Sequence, residues 1–102
     1  KFEAIVSLGM ANTRMKDYFD LWVLLRHADL EQAILEQALK ATFSRRGTAM
    51  PTDTPVGLSD QFAAEKSRVT LWDAFVGRNK LEAESLSNTV IYLRERFAFV
   101  FD

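Results

Sequence analysis

The segment Lys16–Ala28, KDYFDLWVLLRHA, constrains the fold most, because it predicts a helix that is apolar almost all round. Its main apolar arc comprises Tyr18, Leu21, Trp22, Leu25 and Ala28, and the arc is widened by Phe19, Val23 and Leu24. A helix that is apolar on most sides must be covered by neighbouring elements. We therefore expect a largely buried helix within a domain of several elements.

Apolar spacing and local caps predict further helices along the chain. They cover residues 1–9, 29–46, 68–76 and 82–97, with a short turn at 59–64. Leu86, Val90, Leu93 and Phe97 form the expected seam of the last helix. The predicted fold is all-α, a small bundle of about five helices with one long Pro-containing loop.

Local signals mark the ends of several predicted elements. Asn12 or Thr13 can cap the second helix, Asp29 the third, and Ser67 the fourth. The stretch TAMPTDTPVGLSD, residues 48–60, holds both prolines and no helical period, so it is a loop that serves either as a functional strap or as a packed connector. In the tail FAFVFD the phenylalanines alternate with other residues, so a short strand remains an alternative to a helix there.

Composition excludes several classes of protein. With 102 residues, the chain is long enough for a single domain, residues 1–102, and too short for two. The net charge of -1 gives no overall attraction to nucleic acid or membrane, although a local basic patch remains open. The absence of cysteine and the single histidine exclude disulfides and thiolate or multi-histidine metal sites, and a cytoplasmic location is expected. No apolar run reaches the ~18 residues of a membrane span.

Asp17 and Asp20 are anomalous, because helical geometry places Asp17 between Leu21 and Leu24. A carboxylate near an apolar arc is costly unless it is paired, capping or bound to a metal. Asp20 lies roughly 60° away around the helix, so both carboxylates can face one point. Lys1 likewise projects on the apolar side of its own helix. The alternatives are structural: Asp17 caps the helix, Asp20 pairs with a nearby cation, and Lys1 is an exposed first residue.

The two segments KFEAIVSLG and RMKDYFDLW together resemble the third and fourth motifs of abortive-infection nucleotidyltransferase toxins of the AbiEii/AbiGii type. This family is a branch of the polymerase-β-like nucleotidyltransferases. Lys1 with Ala4, and then residues 16–22, match its pattern in order and spacing. Lys16 stands where the family often has arginine. The clear likeness covers residues 1 to about 25, and FSRRGTAMP and the closing helices are similar more weakly.

The resemblance implies that this chain is the helical C-terminal part of a longer enzyme. By this resemblance Lys1 would bind the nucleotide phosphates, Asp17 would act in catalysis, and Asp20 would be the partner of Asp17 in the motif. These roles suit the side chains, because a lysine can neutralise triphosphate charge and a carboxylate can take a hydroxyl proton. The Gly-Gly-Ser motif and the acidic metal-binding pair of the family do not occur in the sequence. NTP and Mg²⁺ are therefore expected for the full-length protein, while this fragment holds no metal site and is expected to be inactive alone.

The resemblance also implies partners: an N-terminal nucleotidyltransferase half, an antitoxin protein and an RNA acceptor. Without the N-terminal half, apolar surface on the first two helices should drive self-association into a homo-oligomer. The alternative functions are a non-catalytic helical protein-interaction module, which would bind an antitoxin or another partner, and a plain structural domain.

Other chemistry-bearing residues have ordinary interpretations. Arg45 and Arg46, with Lys40, have the charge to bind RNA phosphates, but arginines at a helix end commonly complement the helix dipole. His27 is expected at the surface. The aromatic residues expected in the core are Trp22, Trp72, Phe75 and Phe97.

Overall fold

The structure is a computed structural model that describes residues 1–28 and 30–101. Within these ranges the chain forms seven α-helices and no strand. The helices are α1 (Phe2–Leu8), α2 (Met15–His27), α3 (Gln32–Arg46), α4 (Asp60–Ala64), α5 (Lys66–Arg78), α6 (Leu86–Arg96) and α7 (Ala98–Phe101). Five of them have seven residues or more, which confirms the predicted all-α bundle of about five helices. Every helix in the described ranges is too short or too polar to cross a bilayer.

The core lies where α2 packs against α6. All four predicted seam residues, Leu86, Val90, Leu93 and Phe97, are buried. On α2 the buried apolar side chains are Met15, Tyr18, Leu21 and Leu25. Leu24, however, is 47% exposed. The helix is therefore buried along one broad face rather than all round.

Helix α1 is anchored in this core by Phe2, whose ring stacks on Phe97 with centroids 4.1 Å apart. The helix ends at Gly9, where φ is 52° and ψ is -131°, a backbone conformation that glycine adopts readily. After a 3₁₀ turn, the Asn12 side chain accepts a hydrogen bond from the Arg14 amide at 2.7 Å, and α2 begins at Met15. The tight turn between the two anchored helices holds their first residues near one another.

The Pro-containing loop is a packed connector. It turns once as a 3₁₀ helix, Val56–Leu58, and the Tyr18 hydroxyl of α2 donates a 2.8 Å hydrogen bond to the Gly57 carbonyl. A Cβ at position 57 would lie 2.8 Å from the carbonyl oxygen of Ile5 on α1 and 3.0 Å from the Tyr18 hydroxyl. Glycine at this position therefore allows the loop to sit against both α1 and α2.

Several predicted boundaries are wrong by a few residues. Helix α5 begins at Lys66, and Ser67, the predicted cap, lies inside it and donates to the Glu65 carboxylate. Helix α6 begins at Leu86 rather than 82, because Ser85 accepts the Asn88 amide as its N-cap. The tail forms α7 and no strand. Helix α3 begins at Gln32, and the predicted cap Asp29 lies outside the described residues.

Candidate functional site

The first residue of the chain and the first turns of α2 form one charged cluster. The Lys1 ammonium lies 2.8 Å from Oδ2 of Asp20 and 3.6 Å from Oδ1 of Asp17. These are the three residues that the resemblance singled out. They meet because Phe2 anchors α1 and Tyr18 anchors α2 in the same core, so the neighbouring charged residues face each other at its edge.

Asp17 is a buried carboxylate, with 3% of its side chain exposed. Its Oδ2 lies 3.3 Å from Nε of Arg14, yet this oxygen accepts no hydrogen bond within the described part of the chain. The N-cap position of α2 belongs to Arg14, not to Asp17. The structure thus gives no support to the alternative that Asp17 is a helix cap, and it leaves one buried carboxylate oxygen without a hydrogen-bond partner among the described residues.

Asp20 differs from Asp17 in how fully it is paired. Its Oδ2 accepts hydrogen bonds from both Lys1, at 2.8 Å, and Lys16, at 2.6 Å. Partial burial acts to raise the pKa of Asp20, but the two lysine hydrogen bonds outweigh it and the pKa is lowered. The same hydrogen bond to Asp20 raises the pKa of Lys1. Both groups therefore stay charged at neutral pH, and Asp20 holds the Lys1 ammonium in place.

A cleft of about 370 Å³ opens beside this cluster, and we call it the Asp17 cleft. One side is formed by residues of the cluster and the start of α2: Lys1, Thr13, Arg14, Met15, Lys16 and Asp17. The other side comes from α5, which contributes Leu71, Phe75 and Arg78. Three cations, one largely buried carboxylate and an apolar wall thus line one space, with Arg78 adding a fourth positive charge.

The α5 wall was missed by sequence reasoning, which placed Phe75 in the core and gave Leu71 and Arg78 no role. In the structure Phe75 is only half-buried and Leu71 is 42% exposed. Periodicity shows which face of a helix is apolar, but it does not show that part of that face borders a cleft. No local signal in the sequence connects residues 71–78 with residues 13–17.

The cluster suits an anion better than a metal ion. An ammonium has three donors, so Lys1 can bind Asp20 and still donate to a phosphate. Arg14 offers a planar fork that matches a phosphate. Within the described ranges no three acidic or histidine residues are grouped to hold a metal, and the two carboxylates here are already paired with cations. The described residues therefore do not by themselves fit a Mg²⁺ site.

The remaining candidates lie away from the carboxylates. His27 is exposed at the end of α2, as predicted. Lys40 pairs with Glu36 on its own helix at 3.0 Å. Trp72 and Phe97 are buried as expected, whereas Trp22 is only partly covered.

A comparison with known protein families shows which family the chain belongs to. The family model described as "Nucleotidyl transferase AbiEii toxin, Type IV TA system" matches residues 1–102. The chain belongs to the AbiEii toxin family. The match includes the α3–α7 region, where the resemblance was weaker, as well as the two motifs in α1 and α2. No curated protein and no solved structure matches the chain significantly.

Proposed function

We propose that this AbiEii-family chain is the helical part of a nucleotidyltransferase toxin of a toxin–antitoxin or phage-resistance system. In this proposal Lys1 binds the NTP phosphates and Asp17 acts on the acceptor hydroxyl. The observation that carries the proposal is the buried Asp17 carboxylate, whose Oδ2 lacks a hydrogen-bond partner and which lines a cleft rich in cations. An N-terminal half with the Gly-Gly-Ser motif would supply the Mg²⁺ ligands, which this chain does not offer.

Lys1 suits phosphate binding because its contact with Asp20 keeps it protonated and fixes its position. Its pKa is raised by the hydrogen bond to Asp20, so it remains an ammonium at any physiological pH. Nucleotide transfer spreads negative charge over the phosphoryl oxygens, and a fixed cation beside them lowers the barrier. Asp20 is then a positioning residue, since its oxygen already accepts donors from Lys1 and Lys16.

Asp17 suits the acceptor because its Oδ2, although buried, has no hydrogen-bond partner among the described residues and belongs to a residue that lines the cleft. A carboxylate in this position can accept a hydrogen bond from the attacking hydroxyl, orient it and take its proton as the acceptor oxygen bonds to the α-phosphorus of the NTP and pyrophosphate leaves. General-base catalysis of this kind contributes about 10²–10⁴-fold to a rate. Arg14, 3.3 Å from the same oxygen, is the counter-ion beside it and also lines the cleft.

The test is nucleotide transfer by the longer protein that contains this chain, measured with labelled NTP and Mg²⁺. Lys1→Gln and Asp17→Asn should each lower turnover by about 100-fold or more. Lys66→Gln and Asp73→Asn make the same chemical changes at exposed positions of α5 and should leave turnover unchanged. Equal activity in all four variants would contradict the proposal. Turnover by the 102-residue chain alone, with Mg²⁺ or Mn²⁺, would contradict the need for a second half.

A protein-interaction module is the second candidate function, and exposed apolar side chains favour it. Leu24, Ile34 and Val56 are 47%, 56% and 51% exposed. Such side chains suit contact with an antitoxin or with a second copy of the chain. Replacing all three by serine should reduce self-association in light scattering while leaving transfer by the longer protein intact. A chain that is monomeric at high concentration before substitution would count against self-association.

A further inference from the structure

A second pocket, of about 330 Å³, shares Lys1 and Arg14 with the Asp17 cleft. Its other polar lining residues are Glu3 of α1 and Thr42, Arg45 and Arg46 from the last turns of α3. We call it the arginine pocket. It lies where the start of α1 meets the end of α3, two elements that contact each other through Phe2 and Phe43, whose ring centroids are 5.9 Å apart.

The arginine pocket is strongly positive in a chain whose net charge is -1. Four cations line it, and the single acid among its lining residues is Glu3. That carboxylate is 7% exposed, accepts a 2.6 Å hydrogen bond from Thr48, and lies 3.7 Å from Nε of Arg46. Arg46 is thus paired with Glu3, while Lys1 and Arg14 are paired with Asp20 and Asp17 at the edge of the neighbouring cleft. Among the described residues Arg45 has no acidic partner, and the pocket and cleft together hold more cations than carboxylates.

The helix dipole does not account for two arginines at the end of α3. The carboxyl end of a helix carries about half a negative charge, which a single arginine more than compensates. Helix α3 has two, Arg45 and Arg46, and its end is already closed by backbone bonds from Gly47 and Thr48 to the carbonyls of Ser44 and Phe43. Since Lys1 and Arg14 reach the same space from other elements, the positive charges are gathered from three parts of the fold.

We propose that the arginine pocket is a phosphate-binding subsite continuous with the Asp17 cleft. Arginine forks match phosphate oxygens in pairs, and the Thr42 hydroxyl adds a neutral donor. Because Lys1 and Arg14 line both spaces, the ligand that fits carries several phosphates in a row. Two ligands have this chemistry: the phosphodiester backbone of a nucleic-acid acceptor, and the polyphosphate of the nucleotide itself. The inference rests on the proposed function only in placing the reacting group at Asp17.

The test measures binding to the 102-residue chain and needs no turnover. One probe is a fluorescein-labelled single-stranded RNA decanucleotide, followed by anisotropy, and the other is ATP, followed by calorimetry. The variant Arg45→Gln/Arg46→Gln removes two charges from the pocket. The control Lys40→Gln/Lys66→Gln removes two charges from exposed positions outside it. Arg45→Gln alone leaves the Arg46–Glu3 contact intact and guards against a folding effect.

At 0.1 M salt the arginine double variant should bind one of the probes about tenfold more weakly than the control does, as expected for two lost phosphate contacts. For RNA, the slope of log affinity against log salt should become shallower by about 1.4. Weaker binding of RNA alone assigns the pocket to the acceptor backbone, and weaker binding of ATP alone assigns it to the nucleotide. Loss no greater than in the control, for both probes, overturns the proposal.

The result of this binding test can be distinguished from the result of the test of Asp17 as a catalytic residue. Asp17→Asn should keep both probes bound while losing transfer in the longer protein. If Asp17→Asn transfers normally and the arginine double variant still binds weakly, the subsite stands and the role of Asp17 falls.

Discussion

Asp17 and Arg68 are both charged and both buried, at 2% and 5% exposure, yet their surroundings differ. Arg68 donates hydrogen bonds to the carbonyls of Phe62 and Met10, at 3.1 and 2.5 Å. It pairs with Glu65 at 2.9 Å, and its guanidinium lies 3.9 Å from the centre of the Phe62 ring. Its Nε alone lacks a partner within the described residues. Arg68 ties the turn after α1 to α4 and α5.

Asp17, in contrast, is surrounded by cations that water also reaches. Lys1 and Arg14 are 43% and 61% exposed, and the nearest contact to Oδ2 is 3.3 Å long and not a hydrogen bond. Burial alone therefore does not distinguish a structural charge from a functional one. The two residues differ in their partners: Arg68 donates hydrogen bonds to two backbone carbonyls, whereas Oδ2 of Asp17, beside a cleft, has a 3.3 Å contact to an exposed arginine and no hydrogen bond among the described residues.

The largest effect on stability is expected from Arg68→Met. The substitution leaves the carbonyls of Met10 and Phe62 without their charged donor in a partly dry environment, and it removes the cation that pairs with the exposed Glu65. Breaking such a buried charged network costs about 3 kcal/mol. Urea unfolding of the chain should show this loss, while Lys66→Met, at an exposed site on the same helix, should change stability by less than about 0.5 kcal/mol. A loss below about 1 kcal/mol for Arg68→Met would mean that its contacts contribute little.

A smaller loss, about 2 kcal/mol, is expected from Gly57→Ala. The new methyl group would lie 2.8 Å from the Ile5 carbonyl and 3.0 Å from the Tyr18 hydroxyl, so α1 and α2 must separate. Because these helices carry Lys1 and Asp17, transfer by the longer protein should fall as well.

Gly77→Ala is the matched control for Gly57→Ala. No neighbouring atom lies within 4 Å of a Cβ at position 77, which is inside α5. Alanine there should stabilise the helix by about 0.5–1 kcal/mol. If the two alanine variants melted alike, the loop would not be setting the spacing between α1 and α2.

The smallest effect is expected for the coupling between Lys1 and Asp20. Since Lys1 is 43% exposed, a double-mutant cycle with Lys1→Gln and Asp20→Asn should give at most about 1 kcal/mol near pH 7. The pKa of Lys1 is raised above its usual 10.5, so the contribution of Lys1 is full below that pH and is lost as pH rises through the folded value. The pKa of Asp20 is lowered below its usual 3.8, so its contribution is full above that pH and is lost as pH falls through the folded value.

The coupling energy should therefore be constant between about pH 4 and 10 and fade outside that window. Urea unfolding at several pH values measures it. A coupling that changed between pH 5 and 8 would point to a different titrating group.

Much of the fold was predictable because it depends on local periodicity. The α6 seam follows from spacing alone, as does the end of α3 at Gly47. The predicted start of α6 was wrong although its signal was present in the sequence: Ser85 caps the helix by accepting the Asn88 amide. In the tail, where strand and helix were both left open, a helix formed over Ala98–Phe101, since a strand needs a paired edge and the described chain offers none.

The candidate site was only partly predictable. Helix geometry predicted that the carboxylates of Asp17 and Asp20 can face one point, but linking them to Lys1 required the family resemblance. Which carboxylate is satisfied and which is open could not be inferred, because this depends on the positions of Arg14 and Lys16 side chains in three dimensions. The pairing of the α3 arginines with the start of α1 depends on a contact between distant segments, and periodicity carries no such information.

The most direct test of the difference between the two buried charges is urea unfolding of Asp17→Asn beside Arg68→Met. Asparagine has the shape of aspartate, and the two cations that it releases are exposed enough for water to solvate them. If Asp17 serves function rather than folding, the free energy of unfolding should stay within about 1 kcal/mol of the parent chain, against a loss of about 3 kcal/mol for Arg68→Met. A loss for Asp17→Asn as large as that for Arg68→Met would contradict the account and make Asp17 a structural residue.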